Sequence, residues 1–149
     1  MIIYKKGDLL DAPQLNIIHQ VNCKGSMGAG IAKSIKNKYP LVYEDYLYMI
    51  KSELSHDKCL LLGESTCTLI NDNSQRLFNL FGQVDYYPRN KRHTDYNALE
   101  SGFTKIKHCY NGDIAMPKIG CGLGGGDWKV VSKIIEEVFN DRDVYIYEL

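Results

Sequence analysis

Two glycine-rich segments, Gly25-Ser26-Met27-Gly28-Ala29-Gly30 and Gly120-Cys121-Gly122-Leu123-Gly124-Gly125-Gly126, constrain this chain more than any other feature. Each lies between a run that reads as a strand and a run that reads as a helix. Positions without side chains let backbone N–H groups converge on an anion, and the following helix presents its positive end to the same point. The bland alternative is that the glycines only make tight turns. For either segment alone the two readings are about even, but a pair at equivalent junctions favours a ligand held from both sides.

Spacing removes two phosphate-binding patterns. The Walker loop needs Gly-Lys-Ser/Thr at the helix start, whereas Gly30 is followed by Ile31-Ala32. Gly120-x-Gly122-x-x-Gly125 satisfies the dinucleotide fingerprint, yet residues 126–149 leave room for only one helix and one strand, so nicotinamide-dependent hydride transfer is rejected.

Short β-rich runs alternate with helical periodicity along the whole chain, which predicts an α/β fold around a mostly parallel sheet. Strands are expected at Met1–Tyr4, Asn16–Val21, Cys59–Leu62, Thr66–Ile70, Arg76–Phe81, Ile114–Ile119 and Val144–Tyr147. Helices are expected from Gly28 to Lys38, from about Leu41 to Glu53 after Pro40, from Asp95 to Cys109 and from Asp127 to Phe139. In the last, Trp128, Val131, Ile134, Ile135 and Val138 make one apolar stripe. Gly82–His93 is polar and reads as a mobile loop.

The 149 residues, with no internal repeat or linker, form one domain over residues 1–149. Eighteen Lys+Arg against 18 Asp+Glu leave no net charge, so a polyanion would have to be met by a local patch, and Arg89, Lys91 and Arg92 are the dense one. No apolar run has the length of a membrane span or of a secretory h-region. Five cysteines, at 23, 59, 67, 109 and 121, suit neither a disulfide framework nor a zinc site. A reducing cytoplasm is the expected setting. Cys59 and Cys67 read as small core residues. No metal or cofactor is expected, nor a membrane partner, and the chain is expected to be a monomer.

Lys6-Gly7-Asp8-Leu9-Leu10, the run from Ile18-His19-Gln20-Val21-Asn22 through Ala32, and Met116-Pro117-Lys118-Ile119-Gly120-Cys121-Gly122-Leu123 together resemble a macrodomain. The likeness extends over essentially the whole chain, including the Trp128 helix. It implies a three-layer α/β/α fold with a central mixed, mostly parallel sheet. It also implies a cleft for ADP-ribose. The branch it is most similar to contains ADP-ribose 1''-phosphate phosphatases, glutamate-type ADP-ribosyl hydrolases and antitoxins that remove ADP-ribose from DNA.

The resemblance has Asp8, taken as a buried carboxylate at a strand end, accept from the adenine amino group, and puts Leu9 among the ligand-binding residues. Asn22 would meet the distal ribose, Lys24 would lie beside the terminal phosphate with His19 and Asp127, and Ser26 and Met27 are expected among the ligand-binding residues. Gly28, Ala29, Gly30 and Ile31 would wrap the diphosphate from one side. Gly120, Cys121, Gly122, Leu123 and Gly124 would do so from the other, and Pro117 and Ile119 are expected among the ligand-binding residues. Plainer roles stand beside these: Asp8 as a turn acid after Gly7, and Asn22 as a cap of its own loop.

For catalysis the resemblance points to His19, Asp127 and Lys91. His19 matches the histidine that the family's phosphatases carry before the first loop, and imidazole titrates in the range needed to move a proton; a buried histidine bonded to its neighbours is the equal alternative. Asp127 would act on water or, as the plainer role, cap its helix. Asn90-Lys91-Arg92-His93-Thr94 is similar to the antitoxins' Thr-Lys-x-His-Trp, which makes Lys91 the candidate nucleophile, with a solvated loop lysine as the plainer role. The glutamate-type pattern is incomplete, because Phe81-Gly82-Gln83 lacks its lysine and Gly124 stands where its acid would fall. The expected activity is therefore removal of the 1''-phosphate from ADP-ribose 1''-phosphate. The alternatives are release of ADP-ribose from protein or nucleic acid, and a reader that binds without turnover.

Overall fold

In the computed structural model, which describes residues 1–52 and 58–149, the chain runs β1 (Ile2–Lys6), β2 (Asn16–Asn22), α1 (Gly30–Lys38), α2 (Pro40–Ser52), β3 (Ser65–Ile70), β4 (Gln75–Gln83), α3 (Tyr96–Cys109), β5 (Ile114–Met116), α4 (Trp128–Val138) and β6 (Val144–Glu148). The six strands form one sheet in the order β1-β6-β5-β2-β4-β3. All neighbours are parallel except β3 and β4, which form an antiparallel pair at one edge.

Alternation along the strands sorts side chains into two cores. Ile17 and Val21 of β2 join Leu77 and Phe81 of β4 beneath Ile35 of α1 and Val42 and Tyr46 of α2. On the other face, Ile18, Phe78 and Leu80 pack against Leu99 and Phe103 of α3 and Val131 and Ile135 of α4. The result is the three-layer α/β/α arrangement with a mixed, mostly parallel sheet. Local chemistry sets the helix starts. Asp95 Oδ1 accepts from Ala98 N at 3.0 Å and Asp127 Oδ1 from Lys129 N at 2.9 Å, satisfying amides that the helices themselves leave open. Pro40 opens α2 at the position where a missing N–H costs nothing.

Several elements differ from expectation. Lys58–Leu61 is a 3-10 turn rather than a strand; the chain bends at Gly63, φ +85°, with Glu64 N on Leu61 O at 3.0 Å. β5 stops at Met116: Pro117 supplies no N–H to a ladder, and the chain turns with Ile119 N on Pro117 O at 2.6 Å. β4 extends through Gln83 into the segment read as loop. Cys67 faces outward on the edge strand, since Thr68 and Ile70 take the inward positions; the side chain of Cys59 lies outside the described residues. No helix among the described residues is long and apolar enough to cross a membrane.

Candidate active site

The chain leaves β2 toward α1 on one face of the sheet and leaves the adjacent β5 toward α4 on the other. Where neighbouring strands send their connections to opposite faces, a crevice opens at their carboxyl ends. Here that crevice is a cleft of about 440 Å³, bounded on one side by Gly28–Ile31 and on the other by Gly120 and Gly122–Gly124. The two glycine loops therefore do face one another.

Each wall has an identifiable cause. Ala29 occupies the N-cap of α1 and offers no side-chain bond, so the first-turn amides of this helix lack the capping that Asp95 and Asp127 give α3 and α4. Those amides form the positive end aimed at the cleft. Opposite, Gly120 adopts φ +74°, and a Cβ there would meet Thr94 Cγ2 at 2.9 Å and Gln20 Oε1 at 3.0 Å. Only glycine allows that bend beside those neighbours.

The floor is a chain of hydrogen bonds. Gln83 Nε2 donates to Asp85 O at 2.6 Å, and Thr94 Oγ1 donates to Gly120 O at 2.7 Å. Both ends are carbonyls, so Gln20 Nε2 must donate inward to both, at 2.6 Å to Gln83 Oε1 and 3.0 Å to Thr94 Oγ1. His93 N and Thr94 N bond Gly124 O at 2.8 and 3.1 Å. The basic segment is thus tied to the second glycine loop, and Tyr86 and Arg89 reach the cleft wall.

Residues 18–135 match the family model described as Macro domain. The chain is a macrodomain. It is 36% identical over 154 residues to the ADP-ribose glycohydrolase OARD1 of Bos taurus, covering 97% of this chain and 88% of that protein. It is 26% identical over 183 residues to the ADP-ribose 1''-phosphate phosphatase of Saccharomyces cerevisiae, covering 99% and 98%. The macrodomain of Mycobacterium tuberculosis DarG superposes with a TM-score of 0.82 at 25% identity, covering 100% of this chain and 98% of that one.

Of the residues the sequence points to, this macrodomain brings Asn22, Ser26, Gly28, Ala29, Gly30, Ile31, Pro117, Ile119, Gly120, Gly122, Leu123 and Gly124 to the cleft. Met27 and Leu9 are buried in the core instead. Lys24 is exposed and Cys121 half-buried, neither on the cleft wall. Burial, reinforced by the charge of Asp127, pushes the Cys121 thiol up to about 11, so it stays protonated. Asp8 is exposed rather than buried, and its Oδ1 accepts from Leu10 N at 2.9 Å to cap the turn Leu9–Asp11.

The three expected catalytic groups are not on the cleft wall. His19 points into the layer between the sheet and α2, fully buried, with Nε2 against Asn79 Oδ1 at 2.5 Å. Asn79 Nδ2 donates to Val42 O at 3.1 Å and Thr66 Oγ1 at 2.9 Å, so its oxygen faces the imidazole and Nε2 carries the proton. Desolvation lowers the His19 pKa to about 4. It is a neutral core group at physiological pH, and alternation along β2 explains why: it lies on the face of Ile17 and Val21. Asp127 is exposed at the start of α4, where it serves as the helix cap. Lys91 is exposed, with its carbonyl close to Gly125 at the rim.

Sequence reasoning missed Gln20, Gln83, Tyr86, Arg89 and Lys118 as site residues, all on the cleft wall. Gln20 and Lys118 sit inside the macrodomain-like motifs and were readable. Arg89 stands out in the sequence only for its charge, and Gln83 and Tyr86 carry no local signal that separates them from ordinary loop residues.

Proposed function

We propose that this macrodomain binds ADP-ribose in the cleft and hydrolyses the terminal phosphomonoester of ADP-ribose 1''-phosphate. The observation that carries this reading is the character of the wall: among the described residues it presents two facing amide loops and the cations Arg89 and Lys118, with no carboxylate. Such a wall suits a ligand with three phosphates and repels nothing in it.

In this reading the amides of Gly28–Ile31 and Gly120–Gly124 hold the diphosphate, and Asn22 donates to the distal ribose. Asp8 keeps a second carboxylate oxygen for the adenine amino group. Arg89 pairs with the terminal phosphate. Water attacks phosphorus, the P–O1'' bond breaks, and ADP-ribose and inorganic phosphate leave. The acceleration comes from positioning and from charge placed against the transferring group, so no buried base is required. His19 and Asp127 have no part in it.

A second reading, release of ADP-ribose from a protein or nucleic acid, is favoured by the 36% identity to a glycohydrolase and by Lys91 at the rim. Incubation with ADP-ribose 1''-phosphate and with ADP-ribosylated protein and DNA separates the two. Phosphate release that falls at least about 100-fold in Arg89→Ala and persists in Lys91→Ala supports the phosphatase. ADP-ribose release abolished by Lys91→Ala, without phosphate release, supports the glycohydrolase. No binding of ADP-ribose at all sinks both.

A further inference from the structure

The first glycine loop is held by a side chain outside it. Tyr46 on α2 is fully buried and stacked on Phe81, with ring centroids 5.6 Å apart. Its hydroxyl lies 2.7 Å from Asn22 O and 2.8 Å from Asn22 Oδ1, and it accepts from Gly25 N at 3.0 Å. Gly25 N can only donate and the two Asn22 oxygens can only accept, so the single phenolic proton serves Asn22 while a lone pair serves Gly25. Burial raises the phenol's pKa, which keeps that proton in place.

Asn22 is then fixed in one orientation. Its Oδ1 also accepts from Lys24 N at 2.9 Å and Ser26 N at 3.4 Å, and its Nδ2 donates to Ser26 O at 2.9 Å. The second Nδ2 hydrogen has no acceptor among the described residues, and Asn22 lines the cleft. Strict alternation would put Asn22 on the face of Ile18 and Gln20. The register slips between Val21 and Asn22, and the amide meets α2 instead.

We infer that Tyr46 is a positioning residue for the cleft: its hydroxyl locks the Asn22 amide and the bend at Gly25, so that the remaining Asn22 N–H and the Gly28–Ile31 amides are set before the ligand arrives. Preorganisation of this kind removes an ordering cost from binding. Core packing accounts for the buried ring, but not for three bonds from one hydroxyl to one loop. The inference rests on the ADP-ribose reading for what is bound, and on hydrogen-bond geometry alone for what Tyr46 holds.

Tyr46→Phe keeps the ring stack and removes only the hydroxyl. The expected result is a cooperative thermal transition, an ADP-ribose Kd raised about tenfold, and Gly25 amide exchange faster by about tenfold or more. Asn22→Ala combined with Tyr46→Phe should bind no more weakly than Asn22→Ala alone, because the two act as one unit. Gly25 exchange and affinity both within about twofold of wild type, or additive losses in the double variant, would overturn the inference. If Tyr46→Phe does not fold, the wild type decides: a protected Gly25 amide and a slowly exchanging Tyr46 hydroxyl proton are expected, and a Gly25 amide exchanging as freely as an exposed loop overturns it. Should wild type fail to bind ADP-ribose, the functional reading falls, and Gly25 exchange in the variant still tests this one.

Discussion

Thr94 Oγ1 occupies the space into which any side chain at Gly124 would project. The threonine is buried and holds its place by donating to Gly120 O and accepting from Gln20. A Cβ on residue 124 would run directly onto that hydroxyl, and would also come within 2.9 Å of Gly120 O. The second glycine loop is therefore closed to an acid at the position where the glutamate-type pattern would need one. The exclusion is one of packing, and one partner in it lies on a different segment of the chain.

This gives a paired test of stability. Gly124→Ala should destabilise the fold by about 2 kcal/mol, the usual scale of overpacking in a close-fitting site. Gly122→Ala should stay within about 0.5 kcal/mol, because a Cβ there meets nothing within 4 Å. Urea midpoints of the two variants measure the difference, and equal midpoints would contradict the account.

His19 predicts an acid limb. Its folded pKa, about 4, lies below the ordinary 6.5, so between those values the unfolded chain binds the extra proton and the folded chain does not. Stability from this group is complete above pH 6.5 and is lost as pH falls toward 4, by roughly 3 kcal/mol in all. His19→Gln should flatten that limb in denaturant titrations at pH 7.5, 6 and 5. It should leave the proposed phosphate release at neutral pH intact if the protein folds. A large loss of rate in a folded, stable variant would return His19 to the reaction.

Much of this was legible in the sequence, and the failures share a cause. The facing glycine loops, the helix-cap role of Asp127 and the apolar stripe of α4 are local patterns, and all of them appear in the structure. Which face a strand residue takes is also local in principle. His19 shares parity with Ile17 and Val21, which a resemblance alone does not weigh. The contributions of Gln83, Tyr86 and Arg89 depend on where the β4–α3 segment is pinned, and that is decided by Gly124 O and Gly120 O far along the chain. Periodicity carries no such information.

Asp127 offers a separation of two roles at one residue. Asn is as good an N-cap as Asp, whereas it cannot act as a base. Asp127→Asn should keep both stability and the proposed phosphate release close to wild type. Asp127→Ala should lose about 1 kcal/mol from the start of α4 and leave the rate largely unchanged. Thermal melts and initial rates on both variants provide the check, and a rate lost in Asp127→Asn with the melt unchanged would make the carboxylate catalytic.

Gln20→Glu probes the floor of the cleft. Asp85 O and Gly120 O anchor the ends of the chain, so Gln83 Oε1 and Thr94 Oγ1 both present lone pairs to residue 20. Glutamine answers with two N–H groups; an ionised glutamate answers with two more acceptors. The variant should lose about 2–3 kcal/mol at pH 7.5, the scale of unsatisfied polar groups in a part-buried site. Its carboxyl is favoured in the protonated form when folded, so the deficit should shrink as pH falls toward 5. Because Thr94 ties the Arg89 segment to the second glycine loop, ADP-ribose affinity should fall with stability and recover along the same pH course. A deficit independent of pH would mean that the network is arranged otherwise.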